Sequence, residues 1–226
     1  MRYKEFENIA KEVSILLKDI PTHWDGKHAI LEMKDSDSKQ WRQMEWIGFY
    51  FEFLCRKFLS PHSNKISFSV KDEKSHYGST QFDGFYKMPW DYKAHSTNTS
   101  SHKVIINDHE AIKDAIKEYS ALGVITAIGE VEYDDKQRSF QKWHTELKGG
   151  KSEYEKDNRK RGAWSRLRKT QFTLQQISFI KIDNAVLDVS DSFQKGFHRT
   201  SGKLRKEKVL LNLEKLQDNQ FYSVDF

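Results

Sequence analysis

Three residues close together in the chain could share a hydrolytic task that depends on a metal ion: Asp83, Asp91 and Lys93. They belong to the run Gln81-Phe82-Asp83-Gly84-Phe85-Tyr86-Lys87-Met88-Pro89-Trp90-Asp91-Tyr92-Lys93-Ala94-His95. Side chains alternate along a strand, so Asp91, Lys93 and His95 fall on one face and Trp90, Tyr92 and Ala94 on the other. A three-residue hairpin loop of Tyr86, Lys87 and Met88 sets Asp83 directly opposite Asp91 on that face. A two-residue loop would put them on opposite faces, because a slip of one residue inverts every side chain. Opposed carboxylates repel unless a cation sits between them. Mg²⁺ suits hard oxygen ligands, keeps several waters and binds through one or two carboxylates plus phosphate oxygens. Lys93 beside such an ion could orient or deprotonate a water for in-line attack on phosphorus.

The elements that must position these residues are legible from periodicity. The first twenty residues read as an amphipathic helix carrying Phe6, Ile9, Val13, Leu16, Leu17 and Ile20, stopped by Pro21. A polar loop over His23–Asp37 follows. Ser38 to Leu59 reads as one long helix, capped by Ser38 and ended by Pro61, with Met44, Ile47, Phe51, Leu54, Cys55 and Phe58 at spacings of three and four. The period then becomes two: Lys65–Val70, Gln81–Tyr86 and Trp90–His95 are expected strands, with Pro89 tolerated at a strand start. Ser96–Ser101 is a loop. Asn107-Asp108-His109-Glu110 opens a helix in a capping-box pattern, with Ile112, Ala115, Ile116, Tyr119 and Leu122 as its apolar face and Gly123 at its C-terminal stop. Val124–Val131 follows as a buried strand. Beyond Lys136 the pattern weakens, apart from Gln176–Ile182 as a strand and Val209–Leu216 as a helical or strand segment. The first three strands can form an antiparallel meander, and the last can lie parallel to one of them through a right-handed crossover.

That order of helix, three strands, helix and strand, with Asp83-Gly84 on one strand and Asp91-x-Lys93 on the next, resembles the PD-(D/E)XK nuclease superfamily over roughly residues 38–133. The proline of that name is absent, since Phe82 precedes Asp83. The resemblance implies an α/β (α+β) fold with a central mixed sheet flanked by helices, a single endonuclease domain over 1–226, and DNA-binding additions after about residue 134. It implies Asp83, Asp91 and Lys93 as catalytic, with Mg²⁺ held by Asp83, Asp91 and the backbone carbonyl of Tyr92. A glutamate on the preceding helix often joins such a site. Glu45 and Glu52 share one stripe, and Glu45, near the middle of the expected helix, is preferred.

Charge points to the partner. Residues 148–169 hold nine Lys or Arg against three acids, and 195–208 hold six against one, whereas the whole chain is only +5. The remainder is therefore net acidic, and the concentration is the footprint of a polyanion. Arg161, Arg166, Arg168, Lys169, Lys203 and Arg205 are expected DNA contacts that neutralise phosphates. Asn and Gln can read adenine edges in the major groove. Asn98, in the loop leaving the catalytic strand, is placed for that, and His95 faces the same site. Together these features imply a Mg²⁺-dependent type II restriction endonuclease, a homodimer on double-stranded DNA with a palindromic site, A·T-rich if Asn and Gln do the reading. The alternatives are a structure- or damage-specific nuclease of the same fold, or a non-catalytic DNA-binding protein.

Composition supplies the exclusions. One cysteine, Cys55, cannot form an intrachain disulfide or a cysteine-pair zinc site. No apolar run approaches the roughly 18–20 residues that span a bilayer. No phosphate-binding Gly-x-x-x-x-Gly-Lys-Ser/Thr occurs, so no nucleotide cofactor is expected. A soluble protein of the bacterial cytoplasm is the expectation.

Overall fold

The computed structural model describes residues 1–62, 64–68, 82–151, 156–157, 160, 166–198, 202 and 204–226. Val70, Gln81, Arg161 and Lys203, named above, lie outside the described residues. The chain forms a mixed α+β structure. It opens with α1 (Tyr3–Leu16), β1 (His23–Asp25), α2 (Gly26–Asp35) and α3 (Trp46–Leu59). Next come β2 (Ser67–Phe68), β3 (Gly84–Tyr86), β4 (Met88–Ser96), β5 (Lys103–Asp108) and α4 (His109–Tyr119). β6 (Leu122–Tyr133), α5 (Ser139–Leu147), β7 (Lys169–Ile182) and α6 (Asn184–Asp188) follow. β8 (Asp191–Phe193), β9 (Lys208–Asn212) and β10 (Phe221–Asp225) complete the order.

Among the described residues the main sheet has seven strands in the order β1-β7-β6-β4-β3-β2, with β10 also pairing β7. β2, β3 and β4 form the antiparallel meander, and β6 returns through α4 to lie parallel to β4, with Asp91 beside Val124 and Lys93 beside Thr126. A second sheet, β5-β9-β8, stands apart from it. The main sheet is not confined to residues 38–133. β7 pairs with β6 along most of its length, and β1 and β10 share the other edge of β7.

Alternation along the central strands divides the interior in two. Trp90, Tyr92, Ile125, Ala127 and Phe179 face α1, α2 and α3 in one apolar cluster. Leu122, Val124, Ile180 and Ile182 face α4, α6 and the second sheet in another. Helices thus cover both faces, as parallel pairing in a buried sheet requires.

Several sequence expectations change. The helix expected over Ser38–Leu59 is two pieces, a 3₁₀ turn at Lys39–Arg42 and α3, with Glu45 in a non-helical conformation as the N-cap of α3. Residues 38–43 are mostly polar and have no apolar stripe to bury. Tertiary bonds claim the ends of the segment instead, from Arg42 to the Lys148 carbonyl and from the Trp46 indole to the Lys169 carbonyl. The stretch His23–Asp37 is not a loop: Trp24, Ala29, Ile30 and Met33 bury, and Asp25 caps α2 by accepting from the His28 amide. β5 and α5 were not anticipated. β5 buries only Val104 and Ile106. α5 is anchored by the buried Asp134 carboxylate, which accepts from the Phe140 and Gln141 amides.

Asp108 is the N-cap of α4, but its side chain makes no cap bond and instead pairs with Lys206 and Lys208. The helix ends on left-handed Ser120, not at Gly123. Gly123 has another reason to be glycine: the Trp90 ring lies over its α-carbon, and a Cβ there would be driven into that ring. Trp90 is itself fixed against Phe6 and Phe179. Gly123→Ala is therefore expected to cost about 2–3 kcal/mol by overpacking, read as a drop in the midpoint of denaturant unfolding. An unchanged midpoint would show that Trp90 yields freely.

Candidate active site

β4 outruns its meander partner. The β3–β4 ladder ends at Gly84, opposite Trp90, and among the described residues no strand pairs with that edge of β4 from Asp91 onward. Asp83 stands where β3 leaves off. Its amide donates to the Trp90 carbonyl at 2.9 Å, and its carboxylate accepts from the Tyr92 amide at 2.6 Å. The side chain thereby takes up a β4 amide that the β3 ladder does not reach. Gly84 beside it leaves room for the Tyr92 hydroxyl, which a Cβ would strike. The register continues to place Asp83 across from Asp91, as the longer of the two hairpin loops requires.

Asp91, Lys93 and His95 share one face while Trp90, Tyr92 and Ala94 pack toward the helices. Lys93 Nζ lies 2.8 Å from Asp91 Oδ1 and donates to the Tyr92 carbonyl at 3.2 Å. Asp91 is buried, and among the described residues its Oδ2 meets no hydrogen-bond donor while Asp83 is ionised; a protonated Asp83 carboxyl hydrogen-bonds to Asp91. A buried carboxylate oxygen without a donor is costly.

The electrostatics follow from burial and proximity. Burial, then the adjacent Asp91 charge, push the Asp83 carboxyl up to about 8, with Lys93 opposing and Glu52 adding to the rise. Burial alone would lower the Lys93 ammonium, but Asp91 and Asp83 outweigh it and hold the lysine above its ordinary value. Without a metal ion, the pair therefore shares negative charge that Lys93 only partly offsets.

Asp83 and Lys93 border a cleft of about 530 Å³ between α3 and β4, with Asp91 buried behind Lys93; its polar wall also includes Glu45, Glu52, His95 and Lys169. The two glutamates stand in different places. Glu45 sits at the N-terminus of α3, half exposed, 2.6 Å from Arg166. Glu52 is the mid-helix carboxylate whose charge reaches Asp83 and Lys93. It is held by Arg56 at 3.0 Å and by Gln40 at 2.8 Å. The seven-residue spacing identified both; only the true start of α3 separates them.

The expected DNA contacts divide similarly. Asn98 is engaged at both ends of its amide by the Val131 backbone, at 2.8 and 3.1 Å, so it braces the loop against β6 rather than presenting itself to a base. Arg168 is buried at 6% exposure against Met44, which removes it from the phosphate-facing surface. Arg166 is exposed and paired with Glu45. Lys169 lies on the cleft, half buried, with its ammonium lowered by burial and by Arg166. Arg205 borders a second, smaller cleft with Lys206 and Lys208. Arg161 and Lys203 are outside the described residues.

Mg²⁺ fits the donor set on one observation above all, the orphaned Asp91 Oδ2. Asp83 and the Tyr92 carbonyl supply further hard oxygens on the same strand edge. Among the described residues no three His, Cys, Asp or Glu side chains converge as a metal cluster. An ion here would therefore depend on water or substrate oxygens for the rest of its shell, as Mg²⁺ ordinarily does.

No family model matches this sequence, and no curated protein matches it. Among solved structures, the chain is similar to the restriction endonuclease BglI bound to its DNA recognition sequence, at a TM-score of 0.33 and 10% identity. The alignment covers 99% of this chain and 94% of that one. Among the described residues no helix is long and apolar enough to cross a membrane.

Proposed function

We propose that the chain is a Mg²⁺-dependent endonuclease that hydrolyses phosphodiester bonds of double-stranded DNA. The observation that carries this reading is the cluster of buried Asp91 with the partly exposed Asp83 and Lys93, in which one Asp91 oxygen is unsatisfied among the described residues. Asp83, Asp91 and the Tyr92 carbonyl would hold the ion, with Glu52 rather than Glu45 adding charge from α3. When bound, Mg²⁺ supplies positive charge at the scissile phosphate and at the attacking water. Lys93, held against Asp91, would orient that water and, in its neutral form, accept a proton from it. The cleft between α3 and β4 admits the phosphate, and Lys169 faces it from β7.

The resemblance noted in the sequence, with the basic segments beyond the core, favours a type II restriction endonuclease of the bacterial cytoplasm. One such site cuts one strand, and the two scissile phosphates of a duplex are related by a two-fold axis. An isologous homodimer on a palindromic site follows, with A·T-rich sequence read by Asn and Gln other than Asn98.

The deciding experiment is a digest of a sequenced phage genome in Mg²⁺, mapped on both strands, with a parallel binding assay in Ca²⁺. Discrete fragments cut symmetrically in Mg²⁺, with specific binding but no cutting in Ca²⁺, are expected. Scattering mass on cognate duplex should report two chains. A monomer nicking one strand would overturn the dimer and palindrome and favour the structure-specific alternative. No cleavage in Mg²⁺, with binding indifferent to divalent ions, would leave a DNA-binding protein.

A further inference from the structure

At the far end of β4 a different donor set begins with His95, which borders the same cleft. His95 Nε2 lies 3.3 Å from His102 Nδ1, the rings meeting edge-on with centroids 5.4 Å apart. His95 is two residues beyond Lys93 on the same face, about 7 Å along the strand. It is buried, whereas His102 enters from the loop before β5 and is only partly covered.

Two imidazole nitrogens bound to one tetrahedral Zn²⁺ at about 2.0–2.1 Å each must stand about 3.3–3.4 Å apart. The His95–His102 separation already has that value. Forming such a chelate keeps this separation and replaces the hydrogen bond between the rings: a proton shift within one neutral imidazole frees both facing nitrogens, and the rings turn to aim their lone pairs at the ion. Burial, His102 and Lys169 all disfavour the charged form of His95, which keeps it in the state a metal requires. Cleft water can complete the shell. Imidazole nitrogen suits Zn²⁺ and Co²⁺, whereas the carboxylates of Asp83 and Asp91 suit Mg²⁺, so the two sites differ in ligand hardness.

We propose that His95 and His102 form a second, transition-metal site at the edge of the cleft, separate from the Asp83–Asp91 group. It rests on this geometry alone and stands whether or not the chain is a nuclease. The Lys169 ammonium works against a second cation there, so removing that charge should tighten binding.

The test uses the full chain carrying Asp83→Asn and Asp91→Asn, which removes the competing carboxylate site. Co²⁺ is titrated and its visible d–d absorption followed, with Zn²⁺ added to displace it. One equivalent with a nitrogen-ligated spectrum is expected, displaced by Zn²⁺ and not by Mg²⁺. Adding His102→Asn, and separately His95→Asn, should each weaken binding about tenfold or more, with circular dichroism unchanged, since a chelate has become a single ligand. Adding Lys169→Met should strengthen it. Absence of Co²⁺ binding in the starting protein overturns the proposal. So does equal binding after loss of His102, which would assign the ion to one of the other histidines.

Discussion

Asp91→Ala and Lys93→Ala should each slow Mg²⁺-dependent DNA cleavage by at least about 10³-fold, the scale seen when a charge-stabilising group leaves a preorganised site. Among the described residues Asp91 is the only one of the three with a buried oxygen that meets no donor while Asp83 is ionised, and Lys93 is held directly against it. Neither change should weaken DNA binding, and Asp91→Ala should tighten it, because a buried carboxylate repels phosphate. The measurement is single-turnover cleavage beside filter binding in Ca²⁺. Glu52→Gln should also lower the rate, and Glu45→Gln should have much the smaller effect, since Glu45 faces Arg166. Full cleavage by Asp91→Ala would end the assignment, whereas loss of binding along with cleavage would point to a folding defect.

Asp83→Asn should inactivate the protein and also stabilise it. The Asp83 carboxyl titrates at about 8 in the folded chain, against about 3.9 when unfolded. The folded state thus retains a proton that the unfolded chain has released. A raised folded value means stability is complete below about pH 4 and declines as pH rises toward 8, where the loss levels off. Asparagine can still accept from the Tyr92 amide and carries no charge to repel Asp91. The gain should therefore be negligible near pH 4 and about 1–3 kcal/mol near pH 8, or about 2–10 °C in melting temperature for a chain of this size. Mg²⁺ should raise the melting temperature of the parent at pH 8 and leave the variant nearly unmoved, because ligand that binds only the folded state stabilises it. Equal melting temperatures at pH 4 and pH 8 for the difference between parent and variant would contradict the elevated carboxyl. Such a trade, stability given up at a working site, is common where like charges are gathered for function.

Strand periodicity puts Asp91, Lys93 and His95 on one face, and the loop length, settled by the pairing of Phe85 with Pro89, decides that Asp83 joins them. The facing along β4 was legible because alternation is local: once Trp90 and Tyr92 must be buried, Asp91, Lys93 and His95 have no choice of side. The parallel return of β6 through α4 was legible for a similar reason, from one amphipathic helix followed by one apolar strand. Other features depended on partners distant in sequence. The start of α3, and so the choice between Glu45 and Glu52, is set by the bond from the Trp46 indole to the Lys169 carbonyl. Asn98 is occupied at both ends of its amide by Val131, a partner too far along the chain for local spacing to show. Arg168 was counted with a charged surface, although the fold buries it beside Met44. The sequence by itself determined which chemistry the hairpin could hold, since local backbone geometry dictates side-chain facing. Tertiary structure alone decided which carboxylates, lysines and histidines meet at the cleft, because long-range burial and hydrogen bonding override residue type and spacing.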